Sequence, residues 1–168
     1  MDGPTRADNE SMGRVAIVVA CVVGALAVPQ VAFGAPRLVS HSCGSSCGSL
    51  DASGSGTLNI NGKGAEWGSV KSGTVRVQDK SHNGHRDWSL TGCDKRYKDP
   101  SNRAITVCKA NNRIYFSTST TWWLGVSGTA VSASVVASGG VYIKGSGGYH
   151  LNGGGRRKWP SAGKFFQF

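Results

Sequence analysis

The sequence predicts an all-β domain, a single small sandwich or barrel built from about nine or ten short strands. Short runs of alternating apolar and polar residues recur roughly every ten residues, which is the spacing of strands joined by tight turns. Glycine is abundant, with 25 of 168 residues, and it stands between these runs as it does in turns. No window after residue 34 shows the 3.6-residue apolar period of an amphipathic helix.

The strand segments can be placed in chain order by their alternation, which is clearest at 74–78. The predicted strands are 57–61, 74–78, 87–91, 104–109, 113–118, 121–126, 129–137, 141–144, 149–152 and 164–168. The tripeptide Ser-Gly-Thr opens at Ser55, Ser72 and Ser127, which leaves a short β-solenoid as the alternative. The distances between these tripeptides share no fixed period, so a sandwich or barrel is favoured.

Residues 1–34 have the order of parts of a signal peptide. The stretch Val15–Val28 is unbroken apolar or small, Pro29 ends it, and Ala32 and Gly34 are small residues at the −3 and −1 positions of a cleavage site. An uncleaved membrane anchor is the alternative. Its apolar stretch would rise only about 21 Å as a helix, which is short of a hydrocarbon core of roughly 30 Å.

Two details of the leader leave alternatives open. Asp2, Asp8 and Glu10 make the first eleven residues a poor signal-peptide start, so the true start is predicted at Met12. Cys21 ends a sequence similar to a lipobox, but it lies inside the apolar stretch rather than at its end. Cleavage without lipidation is therefore preferred, and no stable transmembrane anchor is expected afterwards.

Four cysteines follow the leader, and an even number in a small exported chain predicts two disulfides. Of the three possible pairings, Cys93–Cys108 with Cys43–Cys47 is favoured, because Cys93 and Cys108 lie in β-type runs that flank a polar loop. Residues 35–56 then form a Ser/Gly-rich, disulfide-stapled arm, and 57–168 form the β domain. A zinc site using Cys43, Cys47 and His41 is the alternative, but it lacks a second close pair of ligands.

The chain after the leader is strongly basic. From Ala35 onward it holds 17 Lys and Arg against 6 Asp and Glu. Such a surface attracts polyanions, including anionic glycans and other envelope polymers, although solubility alone also explains it. Small basic clusters occur at 95–98 and 156–158. No element is typical of a helix that reads a DNA groove, so sequence-specific nucleic-acid recognition is not expected.

Tryptophan gives the clearest signal for a binding site. Trp122 and Trp123 are consecutive in a predicted strand, so their side chains must point to opposite faces. One can fill the core while the other faces solvent or a second layer, and an exposed indole is a suitable platform for a sugar or a lipid. Burial of both tryptophans under loops is the alternative. Binding candidates are Trp122, Trp123, Arg156, Arg157 and Lys158.

Catalytic signals are weak by comparison. The match to Gly-x-Ser-x-Gly at 44–48 has Ser/Gly loop on both sides instead of a strand and a helix. His82 and His85 are weak metal candidates, but Asn83-Gly84 between them is typical of a surface turn. Glycoside hydrolysis needs two carboxylates across one bond, and the sequence places no two together. We therefore expect no catalytic residues and no cofactor, with a hydrolase as an alternative.

Glycine-punctuated β-type runs fill two segments, Gly56 to Asp79, GTLNINGKGAEWGSVKSGTVRVQD, and Val126 to Gly154, VSGTAVSASVVASGGVYIKGSGGYHLNGG. These two segments resemble small exported β-rich proteins common in actinobacteria. The resemblance implies an exported all-β protein. It carries over no activity and no functional residues, and the four cysteines and the tryptophan pair depart from it.

Together these observations predict a secreted or cell-surface-associated, non-catalytic binding module. Its expected partner is an anionic or carbohydrate polymer of the cell envelope. A small secreted cationic effector, such as a toxin, an antimicrobial or an enzyme inhibitor, has the same size, charge and disulfide content and remains the main alternative.

Overall fold

A computed structural model describes residues 47–81 and 84–168. This part of the chain contains eight strands and no helix, and all eight strands belong to one antiparallel sheet. The strands are β1 (Gly48–Val70), β2 (Gly73–Asp79), β3 (Trp88–Thr91), β4 (Lys95–Lys98), β5 (Thr106–Ala110), β6 (Ile114–Leu151), β7 (Arg157–Lys158) and β8 (Lys164–Gln167). The predicted all-β fold is confirmed. The predicted signal peptide lies outside the described residues.

Two strands are far longer than predicted. β1 has 23 residues and β6 has 38, and the five segments predicted as separate strands between 113 and 152 all lie mainly within β6. The alternating pattern marks these segments correctly. Backbone hydrogen bonding to neighbouring strands nevertheless continues through the bends between them, so the structure has eight strands instead of nine or ten.

β1 is hydrogen-bonded to β6 along both of its edges. On one edge Gly56 pairs with Gly128 and Val70 pairs with Ile114. On the other edge Leu50 pairs with Leu151 and Ser69 pairs with Ser132. The same stretch of β6, residues 132–137, is therefore flanked on both sides by β1. This is possible only because both strands bend, so that the sheet folds over on itself.

The bends divide the sheet into two layers, an arrangement in which strands pass from one layer to the next at corners. The first layer contains β3, β7, residues 48–54 and 64–70 of β1, and residues 114–119, 131–137 and 147–151 of β6. The second layer contains β2, β4, β5, β8, residues 56–62 of β1, and residues 122–128 and 139–145 of β6.

Glycine makes two of these corners possible. Gly64 has φ +152° and Gly139 has φ +142°, and a Cβ atom on either one would overlap a backbone carbonyl oxygen of the paired strand. Only glycine allows the backbones to approach so closely at these dihedral angles.

Inward-facing side chains of both layers form one hydrophobic core. Leu50 and Val135 contribute from the first layer, and Leu58 and Ile60 from the second, and all four are almost fully buried. Arg96 of β4 donates a hydrogen bond to the carbonyl oxygen of Leu90 in β3. It thereby joins the edges of the two layers.

The segment predicted as an irregular arm, 35–56, needs correction over its described part. β1 begins at Gly48, so residues 48–56 are strand. Serine and glycine suggested a loop, yet Leu50 and Ala52 alternate inward and are buried. Gly54 pairs with Val131 on one edge and Gly147 on the other, and the absence of a side chain permits the close approach to Gly147.

The predicted disulfide Cys93–Cys108 is present. It connects the residue that precedes β4 by two positions to the middle of β5. Cys47 is also disulfide-bonded, and its predicted partner Cys43 lies outside the described residues, so that pairing stays a prediction.

Candidate functional site

Trp122 and Trp123 point to opposite faces of the second layer. Trp122 is 1% exposed, and its Nε1 donates a hydrogen bond of 3.2 Å to the carbonyl oxygen of Gly64. Trp123 lies half-buried on the outer face. Of the two predicted tryptophans, Trp122 therefore belongs to the core, and Trp123 alone is available to a ligand.

Trp123 borders a depression in the outer face of the second layer. Two residues further along β6 lies Gly125, and a Cβ atom placed there would be 3.0 Å from the far edge of the Trp123 ring. The indole thus reaches over a position that has no side chain. The resulting depression, the Trp123 groove, has a volume of about 420 Å³ and is lined by Thr57, Asn59, Thr74, Arg76, Lys109, Trp123, Gly125, Val126 and Ser127.

The charges in the Trp123 groove are carried by Arg76 of β2 and Lys109 of β5. Arg76 is 51% exposed, and its Nε lies 4.0 Å from Oδ2 of Asp99. Hydrogen bonds from the hydroxyl and the backbone N–H of Ser101 lower the pKa of Asp99, and Arg76 lowers it further. Asp99 is therefore ionised at neutral pH, and its 4.0 Å contact with Nε of Arg76 is longer than a hydrogen bond.

A second, shallower depression continues from the Trp123 groove towards β4. It shares Thr74 and Lys109 with the groove, and Lys95 and Asn111 border its far side. The ring of Tyr97 lies between two lysines, with the Nζ atoms of Lys95 and Lys109 at 5.6 and 5.8 Å from its centroid. The basic and aromatic surface therefore extends from β6 across β2 and β5 to β4.

The predicted basic cluster 156–158 lies elsewhere. Arg157 and Lys158 form β7, which pairs with Tyr149 and Gly148 in the first layer. Arg156 borders a separate depression with Asp51, Ser134 and His150 on the outer face of that layer. The structure does not bring these three residues beside Trp123.

Arg76 and Lys109 were not singled out from the sequence. A signal for Arg76 does exist, because it lies between the inward-facing Val75 and Val77 and must therefore point outward. Its position next to Trp123 depends on the pairing of β2 with β6, Arg76 opposite Gly125, which no local pattern reveals.

The cluster around Asp51 lacks the contacts of a hydrolytic site. The hydroxyl of Ser134 donates to Oδ1 of Asp51 at 2.7 Å, and Nδ1 of His150 is hydrogen-bonded to the carbonyl oxygen of Gly154. A serine nucleophile needs a base, normally the imidazole, at its hydroxyl. Here the hydroxyl is hydrogen-bonded to a carboxylate, and the imidazole is hydrogen-bonded to a backbone carbonyl oxygen instead of the serine.

Metal binding finds no support in the described part of the chain, where no three His, Cys, Asp or Glu side chains form a cluster. His82, one of the two weak metal candidates, lies outside the described residues, and His85 is exposed. Within 47–81 and 84–168, no helix is long and apolar enough to cross a membrane.

Glu66 is an unusual carboxyl group but is not part of a surface site. It is 1% exposed, and burial raises its pKa well above the ordinary value. Neither of its oxygens has a hydrogen-bond partner, and the same is true of the hydroxyl of Thr118, its neighbour across the strand pair. Burial therefore favours the protonated form of Glu66, which lies in the core and not at a surface site.

Comparison of the chain with family models, with curated proteins and with solved structures finds no match. Its function must therefore be inferred from the Trp123 groove.

Proposed function

We propose that this protein is a secreted, non-catalytic binding module whose Trp123 groove holds an anionic carbohydrate polymer of the cell envelope. One observation carries the proposal: a half-buried indole reaches over the bare position of Gly125, with Arg76 and Lys109 beside it. An aromatic platform and basic side chains thus meet in a single depression.

The chemistry of the groove suits such a ligand. The indole offers apolar area to the face of a sugar ring, and the hydroxyls of Thr57, Thr74 and Ser127 together with the amide of Asn59 offer hydrogen bonds to sugar hydroxyls. The guanidinium of Arg76 can bind a carboxylate or a phosphate through two parallel N–H bonds.

The surroundings of the groove favour an anionic partner over a neutral one. Basic residues outnumber acidic residues almost threefold after position 34, which steers polyanions towards the surface. The Cys93–Cys108 disulfide fits an oxidising compartment, in agreement with the predicted signal peptide and with the resemblance to exported actinobacterial proteins.

The proposal is tested by retention of the purified protein on isolated cell wall over a range of salt concentrations. We expect Trp123→Ala and Arg76→Gln each to weaken retention several-fold, and high salt to weaken it further. Two matched controls lie on the first layer: Trp67→Ala removes a half-buried tryptophan from its outer face, and Arg157→Gln removes an exposed cation.

Equal losses for the groove variants and for their controls would overturn the proposal. Inhibition of the growth of neighbouring bacteria, without any retention on polymer, would instead favour the cationic effector.

A further inference from the structure

The basic residues of the outer face of the second layer are distributed one to a strand. β2 contributes Arg76, β5 contributes Lys109, β4 contributes Lys95, and residues 139–145 of β6 contribute Lys144, and all four are exposed. A linear polyanion lying along one strand therefore meets a single cation of this face, or two along β2, where Lys80 follows the strand and its Nζ donates to Oδ1 of Asn61. It meets three or more only when it crosses the strands.

From this distribution we infer that the ligand is a linear acidic glycan with repeated negative charges, which crosses the strands of the second layer from Lys144 to Lys95. This inference rests on the proposed function and adds the direction of the ligand and its minimum length.

Strand register places one row of residues along this path. Thr57 pairs with both Lys144 and Ser127, and Thr74 pairs with both Ser127 and Lys109. Lys109 in turn pairs with Lys95. The row thus has one cation at one end, three hydroxyl groups in the middle and two cations at the other end.

A second row runs beside the first and contains the aromatic groups. Asn59 pairs with both Tyr142 and Gly125, and Gly125 also pairs with Arg76. Phe165, which is 55% exposed, pairs with Tyr142 and extends this row at one end. Because Trp123 reaches over Gly125, its indole lies at the middle of the path, where a sugar ring can stack while its neighbours contact the cations.

The distance between the cations sets the length of the ligand. Four strand spacings separate Lys144 from Lys109 and five separate it from Lys95, which amounts to roughly 19 and 24 Å at about 4.8 Å each. Two carboxylates border the path: Asp99 lies beside Arg76, and Asp94 accepts a hydrogen bond from the backbone N–H of Asn111. These carboxylates favour a ligand whose negative charges are separated along its length. They disfavour a ligand that is charged at every atom.

The experiment uses oligogalacturonates of two to twelve units, which combine sugar rings with carboxylates, and measures their affinity by titration of the folded protein. We expect affinity to rise with length until the oligomer reaches from Lys144 to Lys95, and then to level off. Lys144→Gln should lower the affinity for long oligomers roughly two- to fivefold, as for one exposed ion pair, and leave that for the dimer unchanged. Arg76→Gln should lower both.

Two further probes separate the contribution of the sugar ring to binding from that of the negative charge. Neutral cello-oligosaccharides of matched length and inorganic polyphosphate should each bind more weakly, and polyphosphate should be insensitive to Trp123→Ala. Arg157→Gln is the charge-matched control.

The outcomes distinguish the two proposals. The crossing path would be overturned if binding needs Trp123 but has the same affinity for two units and for twelve. It would also be overturned if Lys144→Gln does not alter the affinity for long oligomers. In both cases the Trp123 groove would remain as the binding site. Binding unaffected by Trp123→Ala would overturn the proposed function itself.

Discussion

The indole of Trp122 donates its hydrogen bond to the carbonyl oxygen of Gly64. Trp122 belongs to the second layer and Gly64 to the corner at which β1 returns to the first, so this one contact fixes a corner to the core. Its neighbour Trp123 has no part in the core and is free to serve the groove.

The two tryptophans should therefore separate stability from binding. Trp122→Ala should lower the free energy of unfolding by about 3–5 kcal/mol, because it leaves a large cavity and an unpaired carbonyl group. Trp123→Ala should cost no more than about 1 kcal/mol while polymer retention falls. Urea unfolding measures the first effect and retention the second. Similar losses of stability for both variants would contradict the assignment of the two faces.

Glu66 should make the domain less stable as the pH rises. Its pKa is raised in the folded state above the ordinary value near 4.5. At any pH between these two pKa values, the unfolded chain has released a proton that the folded chain keeps. The free energy of unfolding must fall with increasing pH across that window and level off above it. Glu66→Gln should flatten this part of the profile, as followed by urea midpoints from pH 4 to pH 9.

A second substitution at the same position tests the cost of the unpaired group. Glu66→Met should raise the free energy of unfolding at pH 8 by about 1–3 kcal/mol, because it removes a buried polar group without a partner. Asp51→Asn, on the outer face, serves as the control. A Glu66→Gln profile as steep as that of the parent protein would show that another group causes the pH dependence.

Glycine at the corners should be irreplaceable even by alanine. Gly64→Ala introduces a Cβ that overlaps the carbonyl oxygen of Val136, at a positive φ, and should cost more than about 1 kcal/mol. Gly155→Ala is the matched control, because nothing lies within 4 Å of its added Cβ. Thermal unfolding of the two variants side by side checks the prediction, which equal midpoints would contradict.

The Cys93–Cys108 disulfide closes a loop with a sequence separation of 15. Replacing both cysteines by serine should lower the free energy of unfolding by about 3 kcal/mol. It should also loosen β4, which lies within the loop and carries Lys95, so polymer retention should fall by more than Lys95→Gln alone produces. Equal retention in these two variants would show that β4 is held in place without the disulfide.

Short-range patterns in the sequence predicted the structural features that depend only on neighbouring residues. The alternation at 74–78 predicted a strand whose ends lie within one residue of those of β2. The side chains of the adjacent Trp122 and Trp123 had to point to opposite faces. The merging of five segments into β6 was not predictable, because it depends on pairing with β1 and on bends such as those at Thr120 and Ala130, which have positive φ. The neighbours of Trp123 were missed for the same reason: Arg76 and Lys109 come to lie beside it only through the register of β2 and β5.

The sharing of β1 and β6 between both layers also decides when this protein can fold. β1 ends at Val70, and its partners on both edges begin only at Ile114 and continue to Leu151. An emerging polypeptide can therefore begin to pair β1 on one edge only after Ile114 has appeared, 44 residues beyond Val70, and on the other edge only from Ser132 onward. β2, β4 and β5 can pair with one another earlier, but neither layer is complete before β6 is, so folding is governed by contacts between distant parts of the sequence.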